Sequence, residues 1–222
     1  MKEKELFHMR KDYAPQPLTK EELSPDPFMQ FGRWFSDASL YETAEPNAMI
    51  LSTCGLDMLP SSRVVLLKKY SPEGFVFFTN YNSRKGIQLK QNPNASILFF
   101  WPETMRQVRI EGSTERTSER DSDEYFNSRP AESRATAMAS RQSEPLENKE
   151  QFENEVEKIL KYSEEDISAG SILARPLHWG GYILKPSLFE FWQGGTNRAH
   201  DRFEYLKESP DQPFWTITRL YP

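Results

Sequence analysis

From residue 48 to about 110 the chain runs through AMILSTC, SSRVVLLKKY, GFVFFTN, ASILFFW and RQVRIEG, short stretches dense in β-branched and aromatic residues. Such stretches fit a pleated, half-buried surface, and each leaves backbone donors and acceptors that only a neighbouring strand satisfies. Ser71-Pro72-Glu73-Gly74 separates two of them with Pro early and Gly late, a turn signal. Residues 118–165 then read as helical, with Phe152, Val156, Ile159 and Leu160 forming one apolar stripe at i, i+4, i+7 and i+8. Strand-like runs return at GGYILK, SLFEFW, DRFEYL and PFWTITRL. A block of strands, a helical insertion and more strands imply an antiparallel sheet or barrel with helices to one side, an α+β class. No G-x-G-x-x-G interrupts the chain, so a doubly wound dinucleotide fold is not expected.

Before the first strand, residues 1–27 are polar and contain Pro15, Pro17, Pro25 and Pro27, so they read as an arm with little core of its own. DPFMQFGRWFSDA follows with Asp26 placed to cap a helix that sets Phe28, Phe31 and Phe35 on one face. Ser83 is placed to cap a second short helix reaching Lys90, stopped by Asn92-Pro93-Asn94. The expected organisation is an arm at 1–27 and one domain at 28–222, carrying a mainly helical insertion at about 118–165 and a C-terminal strand region at about 178–222.

The chain has 222 residues and a net charge of −5, an acidic balance that argues against a nucleic-acid protein. Clusters of cations in such a chain are better read as local sites for small anions. Cys54 is the single cysteine, which rules out an internal disulfide. His8, His178 and His200 are the only histidines and no two have metal-ligand spacing, so no metal site is expected. No apolar run is long enough to span a bilayer and no secretory leader is evident at the N-terminus, so the expected setting is cytoplasmic.

Four clusters could gather an anion. Arg63-Val64-Val65-Leu66-Leu67-Lys68 is an aliphatic strand with a cation at each end, although alternation along a straight strand would send the two cations to opposite faces. Phe78-Thr79-Asn80-Tyr81-Asn82-Ser83-Arg84-Lys85-Gly86 places hydroxyls and cations where a strand enters a helix N-terminus. It also fits an ordinary exposed helix start. Tyr125, Arg129 and Ser133 recur every four residues, but Pro130 requires either a kink or a second helix beginning with that proline. Gly194-Gly195 reads as a hairpin turn, after which Arg198, His200 and Arg202 alternate onto one face of an extended strand. Three cations there require a counter-anion, unless they merely protect an exposed edge.

In this order RVVLLK, FFTNYNSRKG, the RQV of RQVRIEG, YFNSRP, SRQS, FWQGGTNRAHDR and the terminal Arg219-Leu220-x-Pro222 are specific, and with them nearly the whole chain resembles the pyridoxamine 5′-phosphate oxidase (pyridoxine 5′-phosphate oxidase) family. Glu45-Pro46-Asn47-Ala48-Met49 departs from an Asp-Pro-Thr-Ala-Met pattern by one methylene in its carboxylate and by Asn for Thr. The resemblance implies an FMN-binding split β-barrel, antiparallel and Greek-key-like with flanking helices, that forms a homodimer with FMN at the interface. It implies oxidation of pyridoxine 5′-phosphate or pyridoxamine 5′-phosphate to pyridoxal 5′-phosphate, with dioxygen reduced to hydrogen peroxide. The alternatives are another split-barrel FMN-dependent oxidoreductase and a non-catalytic FMN or pyridoxal-phosphate binding protein.

Carried over by position, the cofactor contacts are Arg63, Val64, Val65, Leu66, Leu67, Lys68, Phe78, Thr79, Arg84 and Lys85, completed by Gln107, Gln142, Ser143, Trp192 and Arg202. Lys68, Tyr125, Arg129 and Ser133 would hold the substrate phosphate. Arg198 and His200 would act at the substrate ring as the catalytic pair, with Arg10 and Tyr13 of the arm closing over it.

Overall fold

The computed structural model describes residues 17–42, 45–168, 173–209 and 212–222. Arg10 and Tyr13 lie outside the described residues. Nine strands join in one sheet, in the order β2-β1-β5-β6-β7-β4-β3, with β8 added to β7 and β9 to β8. They are β1 (Ala48–Cys54), β2 (Pro60–Leu66), β3 (Lys69–Ser71), β4 (Gly74–Asn80), β5 (Asn94–Trp101), β6 (Arg106–Arg116), β7 (Trp179–Gln193), β8 (Asp201–Leu206) and β9 (Thr216–Leu220). The helices are α1 (Pro27–Tyr41), α2 (Arg84–Gln91), α3 (Glu119–Ser128), α4 (Ala131–Ala139) and α5 (Lys149–Ser168). The chain divides into two compact units, and β1, β5, β6 and β7 give one end to each.

The first unit takes in residues up to Met49, Ile97–Glu111 and Ser187–Pro222. Asp26 caps α1 by accepting the Phe28 N–H at 2.8 Å, and Pro27 fills the first helical position, where no N–H is needed. The buried face of α1 is Phe31, Trp34 and Ala38, while Phe28 and Phe35 flank it half-buried. Phe31 meets Phe99 edge-on at 5.1 Å between ring centroids, and Trp34 meets Phe191 at 5.3 Å. Edge-to-face contacts of this kind add about 0.5–1.5 kcal/mol per pair beyond burial. β7 pairs antiparallel with β8 from Leu188↔Leu206 to Gln193↔Asp201, and β8 pairs with β9.

The second unit takes in Ile50–Ser96 and Gly112–Pro186. β4 is its central strand, antiparallel to β3 and to the first half of β7, with Asn80 opposite Trp179. Gly74 opens β4 at φ +144°, and a Cβ there would stand 2.2 Å from the Leu184 carbonyl oxygen. Only glycine fits both the dihedral and the space. The stripe Phe152, Val156, Ile159 and Leu160 is half-buried along α5, which packs against α4. At Arg129 the helix stops: φ −78°, ψ 151° is extended, and α4 starts after Pro130. Proline disfavours the helical conformation in the residue before it, which selects two helices over one kinked helix.

Candidate functional site

A cleft of about 920 Å³ opens in the second unit. Its walls are β2, the end of β4, the first turn of α2, the facing sides of α3 and α4, and the loop after α4. Fourteen of the residues expected at the site line it: Arg63, Val64, Val65, Leu66, Lys68, Phe78, Thr79, Arg84, Lys85, Tyr125, Arg129, Ser133, Gln142 and Ser143. Leu67 is buried, so its side chain serves the core. Arg63 and Lys68 reach one cleft despite their odd spacing because the strand is broken. β2 ends at Leu66 and β3 starts at Lys69, with the Lys68 N–H bonded to the Val76 carbonyl at 2.9 Å.

Among the described residues, the lining contains five cations, Arg63, Lys68, Arg84, Lys85 and Arg129, and not one carboxylate. Among the described residues, none of the five makes an ion pair. In a chain with 33 Asp and Glu residues, that exclusion marks a place prepared for an anion.

One group of cations gathers at the start of α2. Ser83 caps the helix through Gly86, Lys85 Nζ donates to Gln142 Oε1 at 2.7 Å and to Ser83 Oγ at 3.2 Å, and the Arg84 N–H donates to Ser143 Oγ at 3.1 Å. Arg63 is anchored from behind, donating to the Leu51 carbonyl at 3.1 Å, Thr53 Oγ1 at 2.7 Å and Ser61 Oγ at 2.6 Å. Burial and then the Arg63 charge pull the Lys85 ammonium down to about 8, and Arg63 is itself lowered by burial and by Arg84. Cations that depress one another at a helix N-terminus would be relieved by a phosphate.

The other group stands on α3 and α4. Phe78 and Tyr125 stack at 4.1 Å, and Trp179 lies 5.5 Å from Phe78 and 6.1 Å from Tyr125, nearly parallel to both. The Arg129 guanidinium sits 4.9 Å over the Trp179 ring, and its Nη1 is buried with no hydrogen-bond partner among the described residues. Burial lowers the Arg129 pKa. A buried guanidinium nitrogen without an acceptor is costly, and a dianion placed there would satisfy it. Lys68 Nζ stands 5.7 Å from the Tyr125 ring centroid.

The remaining expected residues belong to the first unit. Gln107 is half-buried on β6. Arg198, His200 and Arg202 do not alternate along one extended strand, as their spacing predicts. Thr196–Arg198 forms a 3-10 turn with Asn197 at φ 52° and Arg198 at φ 63°, and β8 begins only at Asp201. The left-handed pair turns the exposed Arg198 away from the strand period, a conformation that costs of order 1 kcal/mol for a non-glycine residue. His200 stacks obliquely on Trp192 at 4.7 Å and accepts the Gly195 N–H on Nδ1 at 3.1 Å, so the neutral ring carries its proton on Nε2.

Arg202 has its counter-anion inside the chain. Its Nε donates to Glu190 Oε1 at 2.8 Å and its Nη1 to the Tyr221 carbonyl at 3.0 Å, while Arg109 Nη2 meets Glu190 Oε2 at 2.5 Å. Glu190 is buried. Burial pushes its carboxyl up, but the bonds from Arg202 and Arg109 outweigh that and hold it below the usual range. Trp179 and Ser140 also line the cleft and belong to none of the four clusters, and Asn80 lines it from within the Phe78–Gly86 run. Asn80 Nδ2 donates to the Ser140 carbonyl at 3.0 Å, a contact across 60 residues that no local pattern announces.

Residues 35–163 match the family described as pyridoxamine 5′-phosphate oxidase, and residues 179–222 match the pyridoxine 5′-phosphate oxidase C-terminal dimerisation region. A pyridoxine/pyridoxamine 5′-phosphate oxidase of Bordetella pertussis is 50% identical over 214 residues, 96% of this chain and 98% of that protein. One from Rubrobacter xylanophilus is 45% identical over 219 residues, 99% of this chain and 97% of its own. Among solved structures, PhzG from Burkholderia lata 383, in complex with tetrahydrophenazine-1-carboxylic acid, aligns with a TM-score of 0.83 at 29% identity, covering 95% of this chain and all of that one. A pyridoxamine 5′-phosphate oxidase-related, FMN binding protein from Nostoc punctiforme PCC 73102 shares the fold at a TM-score of 0.68 and 15% identity, covering 90% of this chain and 100% of that one. The fold is therefore α+β, a split β-barrel with flanking helices, and the chain belongs to the pyridoxamine 5′-phosphate oxidase family.

Proposed function

We propose that this chain oxidises pyridoxine 5′-phosphate or pyridoxamine 5′-phosphate to pyridoxal 5′-phosphate, with FMN as its bound cofactor and dioxygen as the final acceptor. The observation that carries the reading is the cleft with five cations and no carboxylate, divided between a helix N-terminus and an α3–α4 wall. Two phosphate-bearing ligands account for two such groups, whereas one phosphate-free ring would leave a group idle. The orphaned Arg129 Nη1, and Lys85 and Arg63, lowered by burial and then by Arg63 and by Arg84 respectively, fit that requirement.

Arg63, Arg84, Lys85, Gln142 and Ser143 hold the FMN phosphate, and the backbone from Val64 to Lys68, with Phe78 and Thr79, borders the rest of the cofactor. Lys68, Tyr125, Arg129 and Ser133 hold the substrate phosphate. When bound, FMN supplies the two-electron acceptor, so the chain's own residues contribute placement, charge and the exclusion of water. Fixing each ligand by its phosphate holds the reacting centres in register, an effect worth several kcal/mol of barrier. Arg198 stabilises negative charge on the substrate ring, and His200, whose Nδ1 is engaged by the Gly195 N–H, offers Nε2 to the substrate. The pair, with Gln107, Trp192 and Arg202, completes the site in a homodimer, consistent with the match of residues 179–222 to a dimerisation region.

Purified protein should be yellow, and adding pyridoxine phosphate under air should release one hydrogen peroxide per aldehyde formed. A protein that takes up FMN yet bleaches with neither substrate under anaerobic conditions would sink the reading in favour of a binding protein. Bleaching by a carboxylated fused ring and not by the vitamers would instead favour a PhzG-like substrate.

A further inference from the structure

We propose that the segment Arg175–Trp179, of which only Trp179 lines the cleft, is the positioning strap of the substrate-phosphate wall. The proposal rests on the reading above that this wall binds a phosphate. Three side chains in five residues grip that wall at different points. The Arg175 side chain is only 4% exposed; its Nε donates to Asp123 at 2.7 Å, and its two terminal nitrogens donate to Glu119 and to the Trp179 carbonyl. Glu119 and Asp123 occupy the first and second turns of α3, the helix that ends in Tyr125 and Ser128 before Arg129. His178 Nε2 lies 3.2 Å from the Ala137 carbonyl, so it reaches α4, the helix bearing Ser133. Trp179 faces the Arg129 guanidinium at 4.9 Å, stacks beside Tyr125 and meets Phe126 edge-on at 5.3 Å.

The break at Arg129–Pro130 is what makes a strap necessary. A continuous helix would fix the angle between Tyr125 and Ser133 by its own hydrogen bonds. Two helices joined by an extended residue have no such constraint, and the wall would splay unless something held both. Arg175 is suited to this because its planar fork satisfies two carboxylates and a carbonyl at once, which a lysine cannot do. Trp179 presents an apolar face that fixes the Arg129 plane without neutralising its charge, so the guanidinium stays available to an anion. Arg175 makes no contact with the cleft, so its influence on substrate passes through α3.

The test uses FMN-loaded full-length protein carrying Arg175→Met, Arg175→Lys, Trp179→Leu or Trp179→Phe. A splayed wall predicts a rise in KM for pyridoxine phosphate of about ten- to a hundredfold in Arg175→Met and Trp179→Leu, with kcat changed less than about threefold. FMN affinity should stay within about twofold of wild type, because Arg84 and Lys85 stand on another helix. Trp179→Phe should recover most of the KM and Arg175→Lys only part of it. Unchanged KM in both severe variants would overturn the strap, and so would parallel loss of kcat, KM and FMN binding, the signature of general unfolding. Binding of pyridoxal 5′-phosphate and of inorganic phosphate, followed by calorimetry, gives a second readout. If wild type binds them without oxidising anything, the function reading fails while the strap is still judged by the weakening in Arg175→Met. If wild type binds neither, both fall.

Discussion

Raising the pH from 7.5 to 9.5 should weaken FMN binding, and Lys85 gives the size of the effect. In the ligand-free cleft its ammonium titrates at about 8, against an ordinary value of 10.5, because it is buried and faces Arg63. A phosphate in contact with it restores the charged form, so binding above pH 8 must take up a proton. With the ordinary value regained in the complex, the dissociation constant grows with pH roughly as 1 + 10^(pH−8), about 20-fold over this interval. Lys85 is half-exposed, so screening by solvent trims that to about five- to tenfold. Quenching of FMN fluorescence in phosphate-free buffer at fixed ionic strength measures it directly. Lys85→Met should bind FMN more weakly at pH 7.5 and lose most of the slope. The ligand-free protein moves the other way: its folded-state pKa is the lower one, so the unfolded chain holds more protons between pH 8 and 10.5 and stability rises through that window. Affinity that is flat or rising to pH 9.5, or a slope that survives in Lys85→Met, would refute the reasoning.

Arg198→Ala should cut turnover by orders of magnitude while FMN stays bound, as judged by the flavin absorption envelope; near-wild-type turnover would remove Arg198 from catalysis. Glu190→Gln leaves Arg109 and Arg202 facing a neutral amide and should cost about 2–3 kcal/mol in urea unfolding, less than a fully buried pair because both arginines are part-exposed. The same carboxylate, held below its usual range, stabilises the protein at neutral pH, and its contribution should disappear as pH falls through its folded pKa, so acid unfolding of Glu190→Gln should be shallower. Gly74→Ala forces a Cβ against the Leu184 carbonyl at a φ that only glycine adopts easily and should lower stability by more than about 2 kcal/mol, read as a drop in Tm.

What the sequence announces and what it conceals divide by range. Asp26 and Ser83 cap the helices they stand before, and the Phe152–Leu160 stripe faces inward, because caps and stripes depend on neighbours within one or two turns. Tyr125, Arg129 and Ser133 share a wall, though over two helices, since Pro130 imposes its break whatever the surroundings. The row Arg198, His200 and Arg202 fails as a strand face because Asn197 and Arg198 adopt left-handed dihedrals after the double glycine. Asn tolerates that region and offers a faint signal; Arg offers none. Glu190 as the partner of Arg202, Asn80 as the partner of Ser140, and Arg175 across α3 are all contacts between residues distant in the chain. No periodicity encodes them, so only the folded structure discloses them.

The carboxylate-free cleft has a bearing on how the protein would be handled. A concave surface with five cations that make no ion pair among the described residues attracts small anions, so phosphate or sulfate in the buffer should compete for it. In such a buffer, loading FMN should be a swap of one anion for another. Its apparent affinity will follow the buffer as closely as it follows the residues, and a preparation washed in phosphate will look like a poor flavin binder until that ion is dialysed away.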